Sequence, residues 1–189
     1  MFRHRKKEYT TEQMLLIEPC ATPEFREWIA SQPRPNKMCG RDVPSSLNDL
    51  TFGELTALSI EGNNIAVALN CAEVVLGVTS RRRVLREPAS ITAGFLNFVH
   101  AEIKRINQLF ADINRKPNAD EIAAGVESLK FGAFGVVDWY ARRMGISDHD
   151  DVMSVKWVRI YECMRIDTET REYERRLRDI LAQKHTKHN

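Results

Sequence analysis

One stretch constrains the fold of this chain more than any other. Between residues 90 and 114, large apolar side chains such as Phe95, Phe98 and Ile106 recur at spacings of three and four, and only Glu102 interrupts them. This period is typical of an amphipathic α-helix. Because so long an apolar face needs cover from more than one direction, the sequence predicts an all-α fold, a compact helical bundle with this helix at its centre.

Shorter helical patterns flank the central helix. Thr51 and Glu54 stand three residues apart before an apolar stripe, which is the signature of a capping box. Gly145 is suited to end a helix in the left-handed conformation. We interpret residues 81–88 as a basic connector between helices. Further helices are predicted at residues 65–78, 120–129 and 136–144, and from a Ser147 cap onward.

The prolines concentrate at the N-terminus, where five of the seven lie within the first 45 residues. Proline removes a backbone donor and disfavours helix at the residue before it, so we expect an extended N-terminal arm. One short helix is predicted at residues 23–30, with Thr22 as its cap and Pro23 at its first position. Residues 13–17 fit either a strand or a helix. The predicted division is therefore a proline-rich arm at 1–45, a helical bundle at 46–167 and a charged helical tail at 168–189.

The tail has few apolar residues. Only Tyr173, Leu177, Ile180 and Leu181 are large and apolar there, and charges alternate around them. Such a stripe is too narrow for a core face and too regular for a random tail. We therefore predict a protruding C-terminal helix whose four apolar side chains contact a partner helix.

Charge is nearly balanced, with 28 Lys and Arg against 26 Asp and Glu, so an overall basic face is excluded. The chain contains no run of about 18 apolar residues, and no apolar stretch follows its basic start, so we expect neither a membrane span nor a secretory signal. Two local basic clusters are interpreted as solvated charges, with contact to an acidic partner or weak, non-specific contact to nucleic acid as the alternative. The clusters are Arg81, Arg82, Arg83 and Arg86, and Arg3, Arg5, Lys6 and Lys7.

Residue types that carry chemistry are scattered. The four cysteines are far apart and form no pair with metal-site spacing, so we predict reduced thiols that pack in the interior. The one cluster of acids and imidazole, at residues 148–151, has the character of a helix start, where carboxylates offset the helix dipole. Gly132 and Gly135 lack the strand and the Lys-Ser/Thr of a phosphate-binding loop. We expect no catalytic residue, no cofactor and no metal, and hence no enzyme.

Residues 136–152 resemble a helix-turn-helix, with Gly145 at the turn. The second helix would begin with Asp148, Asp150 and Asp151, which repel the phosphates that dominate affinity for DNA. A helix-turn-helix that serves only packing is favoured. A DNA-binding regulator stays as the alternative.

Three phrases carry a resemblance to a known family. Residues 48–55 read NDLTFGEL, residues 131–146 read FGAFGVVDWYARRMGI, and residues 155–161 read VKWVRIY. Between Leu47 and Leu177 the chain is similar to tail assembly chaperones and related small helical morphogenesis proteins of tailed bacteriophages.

This resemblance implies a protein–protein interaction factor in virion morphogenesis, most directly in tail assembly. Its partners would be other phage morphogenesis proteins or a second copy of the chain in a homo-oligomer. Its location would be the host cytoplasm, with association with the virion left open. A structural or connector protein of the phage neck or tail is the alternative.

Overall fold

The structure is a computed structural model that describes residues 8–58, 60, 62–113 and 117–186. Within these residues the chain is all-α, as predicted, and its single sheet is a two-stranded antiparallel hairpin. The elements are α1 (Thr11–Ile17), α2 (Pro23–Ala30), β1 (Lys37–Met38), β2 (Arg41–Asp42), α3 (Phe52–Ala57), α4 (Asn64–Leu76), α5 (Arg81–Arg86), α6 (Ala89–Ile113), α7 (Ala119–Ala123), α8 (Gly132–Met144), α9 (His149–Met153) and α10 (Trp157–Thr186).

The chain divides into two compact units, Met1–Arg105 and Ile106–Asn189, and the division falls within α6. It does not coincide with the expected divisions at residues 45 and 167. The long helix itself is confirmed to within one residue at each end. Its stripe is buried as predicted, and Phe95, Val99 and Ile106 are almost fully inaccessible to solvent.

The segment expected as an extended arm is more structured than its prolines indicate. α1 resolves the choice between strand and helix at residues 13–17, because Thr10 and Gln13 form a reciprocal capping box at its start. α2 begins at Pro23 with Thr22 as its cap, as predicted. Prolines confine these helices to about two turns each, but they do not prevent the segment from contributing to the core. That core contains Met14, Leu15, Ala68, Leu85, Ala89 and Ala93.

Two buried hydroxyls hold α1 in place. The side chains of Thr11 and Thr92 are fully buried, with their oxygens 2.6 Å apart. The Thr11 hydroxyl and backbone N–H both donate to the carbonyl of Glu87, each at 2.9 Å. The Ala89 N–H donates to the carbonyl of Tyr9 at 2.8 Å. Since a buried hydroxyl must be hydrogen-bonded, this contact fixes one register between α1 and the start of α6.

The proline-rich stretch that follows lies along α6. An added Cβ at Gly94 would meet the Pro33 carbonyl oxygen at 2.0 Å, so only glycine permits this close approach. The Asn97 amide donates to the carbonyl oxygen of Ile29 at 2.8 Å, which satisfies a backbone group at the C-terminal end of α2. The Arg34 guanidinium lies 5.7 Å from the centre of the Phe98 ring. Side chains of α6 thus position the segment expected as an arm.

Glu102, the one interruption of the apolar stripe, has a structural role. Its carboxylate accepts a hydrogen bond from the buried backbone N–H of Leu47 at 2.9 Å and two from Arg105, each at 2.8 Å. The bonded guanidinium lowers the pKa of this carboxyl, with a smaller lowering from the Leu47 amide. The Arg105 guanidinium also donates to the Asn48 side chain at 2.7 Å. Glu102 and Arg105 therefore fix the residues that precede α3. The predicted capping box between Thr51 and Glu54 is present at the start of α3.

Several predicted boundaries in the second unit are corrected. The helix expected at 120–129 ends at Ala123, because Gly125 adopts φ +82° and the chain continues as a 3-10 turn at Val126–Ser128. α8 starts at Gly132, before the predicted residue 136, and ends at a left-handed Gly145 as predicted.

The final helical region also differs from the prediction. Asp148, rather than Ser147, caps α9 through a 2.9 Å bond from the Asp150 N–H. α10 begins only at Trp157, after a break that lets Val152 and Trp157 both reach the interior.

Replacing Gly94 by Ala tests the approach of the proline-rich stretch to α6. Overpacking against a backbone carbonyl costs about 1–3 kcal/mol. We expect this cost to exceed the gain of about 1 kcal/mol in helix propensity, so the free energy of unfolding decreases. The measurement is urea denaturation beside the exposed Lys104→Ala variant of the same helix, which should change stability by less than about 0.5 kcal/mol. An unchanged midpoint for Gly94→Ala would contradict the described packing.

Glu102 predicts a pH dependence of stability. Because its pKa is lowered in the folded state, its contribution is complete above the ordinary carboxyl value of 4.5 and is lost as pH falls through the lowered value. Glu102→Gln should therefore be less stable than the parent at neutral pH, with a difference that shrinks in acid. Urea midpoints across this range provide the measurement, and the exposed Glu73→Gln variant is the matched control. A pH-independent difference would show that the carboxylate charge is not what stabilises the contact.

Candidate protein-contact surfaces

The exposed apolar residues of α10 form one stripe. Ile166, Tyr173, Leu177, Ile180 and Leu181 are each between 41% and 58% exposed, and we call these five residues the seam. Their spacings of seven, four, three and one place them along one side of the helix. The sequence identified the last four, and the structure adds Ile166. The exposure of the seam is the property that a partner contact requires.

The opposite side of α10 is covered in part. Thr168, Arg171, Glu172, Arg175 and Arg178 line a recess of about 510 Å³ together with Ile113, Asn118 and Glu121. Within this set Arg175 pairs with Glu172 at 3.3 Å. The residues after 167 therefore do not protrude as freely as predicted, because the polar side of α10 faces the end of α6 and the start of α7. The apolar side remains open to solvent.

The first turns of α10 anchor the helix in its unit. Trp157 and Ile160 are fully buried, and the Trp157, Tyr161 and Phe110 rings contact one another at centroid distances of 5.6–6.2 Å. Arg143 of α8 pairs with Asp167 at 3.0 Å, at the point where burial ends. α10 is therefore a rigid continuation of a packed helix, and the seam lies on its exposed half.

A second exposed apolar patch was missed at the sequence level. Leu129, Phe131 and Phe134, which we call the aromatic patch, are all more than half exposed at the start of α8. An added Cβ at Gly135 would meet Phe131 Cβ at 2.6 Å, so the glycine permits this side chain to lie over the first turn. The signal available in the sequence was the spacing of three large apolar residues among glycines.

The basic cluster of the first unit lies on a helix rather than in the predicted connector. Residues 81–86 form α5, because Val84 and Leu85 are buried and anchor one side of it. The arginines are exposed, and three of them line a shallow recess of about 380 Å³ with Ser80 and Glu87. The exposed set is Arg81, Arg82, Arg83 and Arg86. The second predicted cluster, Arg3, Arg5, Lys6 and Lys7, lies outside the described residues.

The helix-turn-helix candidate consists of α8 and the five-residue α9. Its second helix carries exposed Asp150 and Asp151 and is capped by exposed Asp148. His149 turns back to α8, where its ring contacts Phe134 at a centroid distance of 5.1 Å. This geometry gives the second helix an acidic surface, which is unfavourable for contact with DNA phosphates.

The thiols occupy three kinds of environment. Cys71 and Cys39 are buried, and burial raises the pKa of each to about 11, so both are protonated at neutral pH. Cys163 is half-buried, with its sulfur 3.3 Å from a guanidinium nitrogen of Arg143. Cys20 is exposed, contrary to the predicted packing role. In the described part of the chain, no three His, Cys, Asp or Glu side chains converge in a way that could hold a metal ion.

Each helix in the described ranges is too short or too polar to cross a lipid bilayer.

The seam should tolerate substitution without loss of the fold. Leu177→Ala should change the free energy of unfolding by less than about 0.5 kcal/mol, because the side chain is already solvated. The buried Ile160→Ala on the same helix should cost about 2–5 kcal/mol. Urea denaturation of both variants provides the measurement. A large loss for Leu177→Ala would show that the seam belongs to the core.

Comparisons with protein-family models, with curated proteins and with solved structures find no match to this chain.

Proposed function

We propose that this chain is a protein–protein interaction factor in bacteriophage virion morphogenesis, acting in tail assembly in the manner of a chaperone, and that the seam of α10 is its contact element. The observation that carries the proposal is the seam itself. Five large apolar side chains lie exposed along one side of a helix whose first turns are firmly anchored.

The size of the seam supports a role in binding. Five half-exposed apolar side chains leave on the order of 500 Å² of surface, near the upper end of the roughly 300–600 Å² found for the largest patch of a typical monomer. Each large aliphatic side chain contributes about 1.5–3 kcal/mol when fully buried. Such a surface fits a reversible contact, which is what an assembly factor requires.

The setting in phage assembly rests on the resemblance between Leu47 and Leu177. The same resemblance also fits a structural or connector protein of the neck or tail. Such a protein would remain in the finished particle, whereas an assembly factor would not. The regulator alternative is less favoured, because the second helix of its only DNA-reading candidate carries Asp148, Asp150 and Asp151 at its start.

The test compares two triple variants. The seam variant carries Tyr173→Ser, Leu177→Ser and Ile180→Ser, and the control carries Leu129→Ser, Phe131→Ser and Phe134→Ser in the aromatic patch. Both remove three exposed apolar side chains. Sedimentation of each protein with the tail-tube and tape-measure proteins of its own gene cluster should show that only the seam variant loses co-sedimentation.

Each other outcome is informative. If both variants still co-sediment, the seam is not the contact element. If only the patch variant fails, the contact lies at the start of α8 instead. Detection of the protein in purified particles would favour the structural alternative over the assembly factor.

A further inference from the structure

The residues that flank the seam carry an ordered set of charges. Asp167 and Glu174 flank it on one side, and Glu169 and Arg176 flank it on the other. When two helices pack along such a stripe, side chains at these flanking positions meet those of the partner helix. Asp167 is already paired with Arg143, and Glu169 pairs with Arg165 at 2.7 Å. Within the described ranges Glu174 has no ion-pair partner. The Glu169 side chain remains 65% exposed beside Arg165, in a solvated surface pair of the kind that contributes little, so both carboxylates can accept a cation from a second helix.

A second copy of the chain is a poor occupant of the seam. In a parallel pair, Glu169 of each helix faces Glu174 of the other, so two pairs of negative charges meet. Lys184 continues the line of the seam seven residues after Leu177, and it would meet the same lysine of the second copy. In an antiparallel pair with Tyr173 against Leu177, Glu174 meets Glu174 and Arg176 meets Arg176. Like charges at these positions are unfavourable and direct a helix to other partners.

The seam is too small for its apolar contact to outweigh this repulsion easily. Its exposed surface of about 500 Å² is smaller than the roughly 800 Å² that each partner buries in a stable interface of standard size. Self-association through the seam would thus combine a small apolar contact with repelling edges. A helix of a different sequence can carry opposite charges at these flanking positions, so that the contacts become attractive.

We propose that the seam binds an amphipathic helix of a different protein, one that carries Lys or Arg on both flanks of its apolar stripe at the level of Tyr173. Glu169 and Glu174 lie on opposite sides of the seam. Glu169 is one turn before Tyr173 and Glu174 is next to it, so a docked helix would have one carboxylate on each side. This inference rests on the proposed function and specifies the partner of the same surface.

The test uses three synthetic helical peptides of four heptads. Two have identical Leu and Ile stripes, one with Lys and the other with Glu at the two flanking positions that meet Glu169 and Glu174. Both carry Gln at every other flanking position, including the one that meets Arg176. The third keeps the Lys residues and replaces the stripe by Ser. Binding to the full chain is measured by calorimetry at physiological salt, where distant charges are screened.

The Lys peptide should bind about tenfold more tightly than the Glu peptide, because each of the two positions changes from repulsion to attraction and an exposed ion pair contributes up to a few-fold. The Ser peptide should not bind. The Glu169→Lys, Glu174→Lys double variant should reverse the preference, and the triple Ser variant of the seam should bind neither Leu/Ile peptide.

The outcomes separate the two proposals. Equal affinity for both Leu/Ile peptides would overturn the basic partner while leaving the seam as a docking surface. Failure of every peptide would overturn the docking surface and with it the proposed function. A concentration-dependent dimer of the full chain that Leu177→Ser abolishes would identify a second copy as the occupant and overturn the inference.

Discussion

The first unit depends on a pair of buried hydroxyls. Thr11 and Thr92 have no access to water, so each must find its hydrogen-bond partner within the protein. They satisfy each other and the carbonyl of Glu87, and this arrangement permits a single register between α1 and α6. Once α1 is held there, Met14 and Leu15 lie against α4 and α5, and the proline-rich stretch must follow α6 closely.

α6 serves this stretch with polar side chains and one glycine. Gly94 admits the Pro33 backbone, Asn97 satisfies the end of α2, and Glu102 holds the Leu47 amide. A proline-rich segment forms few hydrogen bonds within itself, because proline lacks a donor and its neighbours avoid the helix. The long helix compensates for this deficit. Its apolar stripe forms part of the core. Gly94, Asn97 and Glu102 fix the position of the proline-rich segment, which has few hydrogen bonds of its own.

α10 combines anchoring and exposure in one element. Its first turns are held by a cluster of three aromatic rings, and its later turns keep a recess on the polar side and the seam on the apolar side. A helix that is fixed at one end presents its exposed side chains with little loss of conformational entropy on binding. In the proposed contact, the charges beside the seam would determine which partner binds more than they would raise the affinity.

The sequence by itself determined the features that depend on neighbours in the chain. The period of α6, the capping box between Thr51 and Glu54, the start of α2 at Pro23 and the end of α8 at Gly145 follow from local spacing and backbone preference, and each was predicted. The four apolar residues after position 167 were likewise visible in the sequence, whereas the exposure of Ile166 was not.

Tertiary structure decided what depends on distant contacts. The N-terminal 45 residues have the composition of an arm, yet contacts with α6 more than 50 residues away order part of them. Residues 81–86 have the charge of a connector, yet two buried side chains make them a helix. The division within α6 also escaped prediction, because a continuous stripe does not reveal which of its turns each group of elements covers. The physical reason is common to all three, since burial and close approach are properties of residue pairs that no local pattern contains.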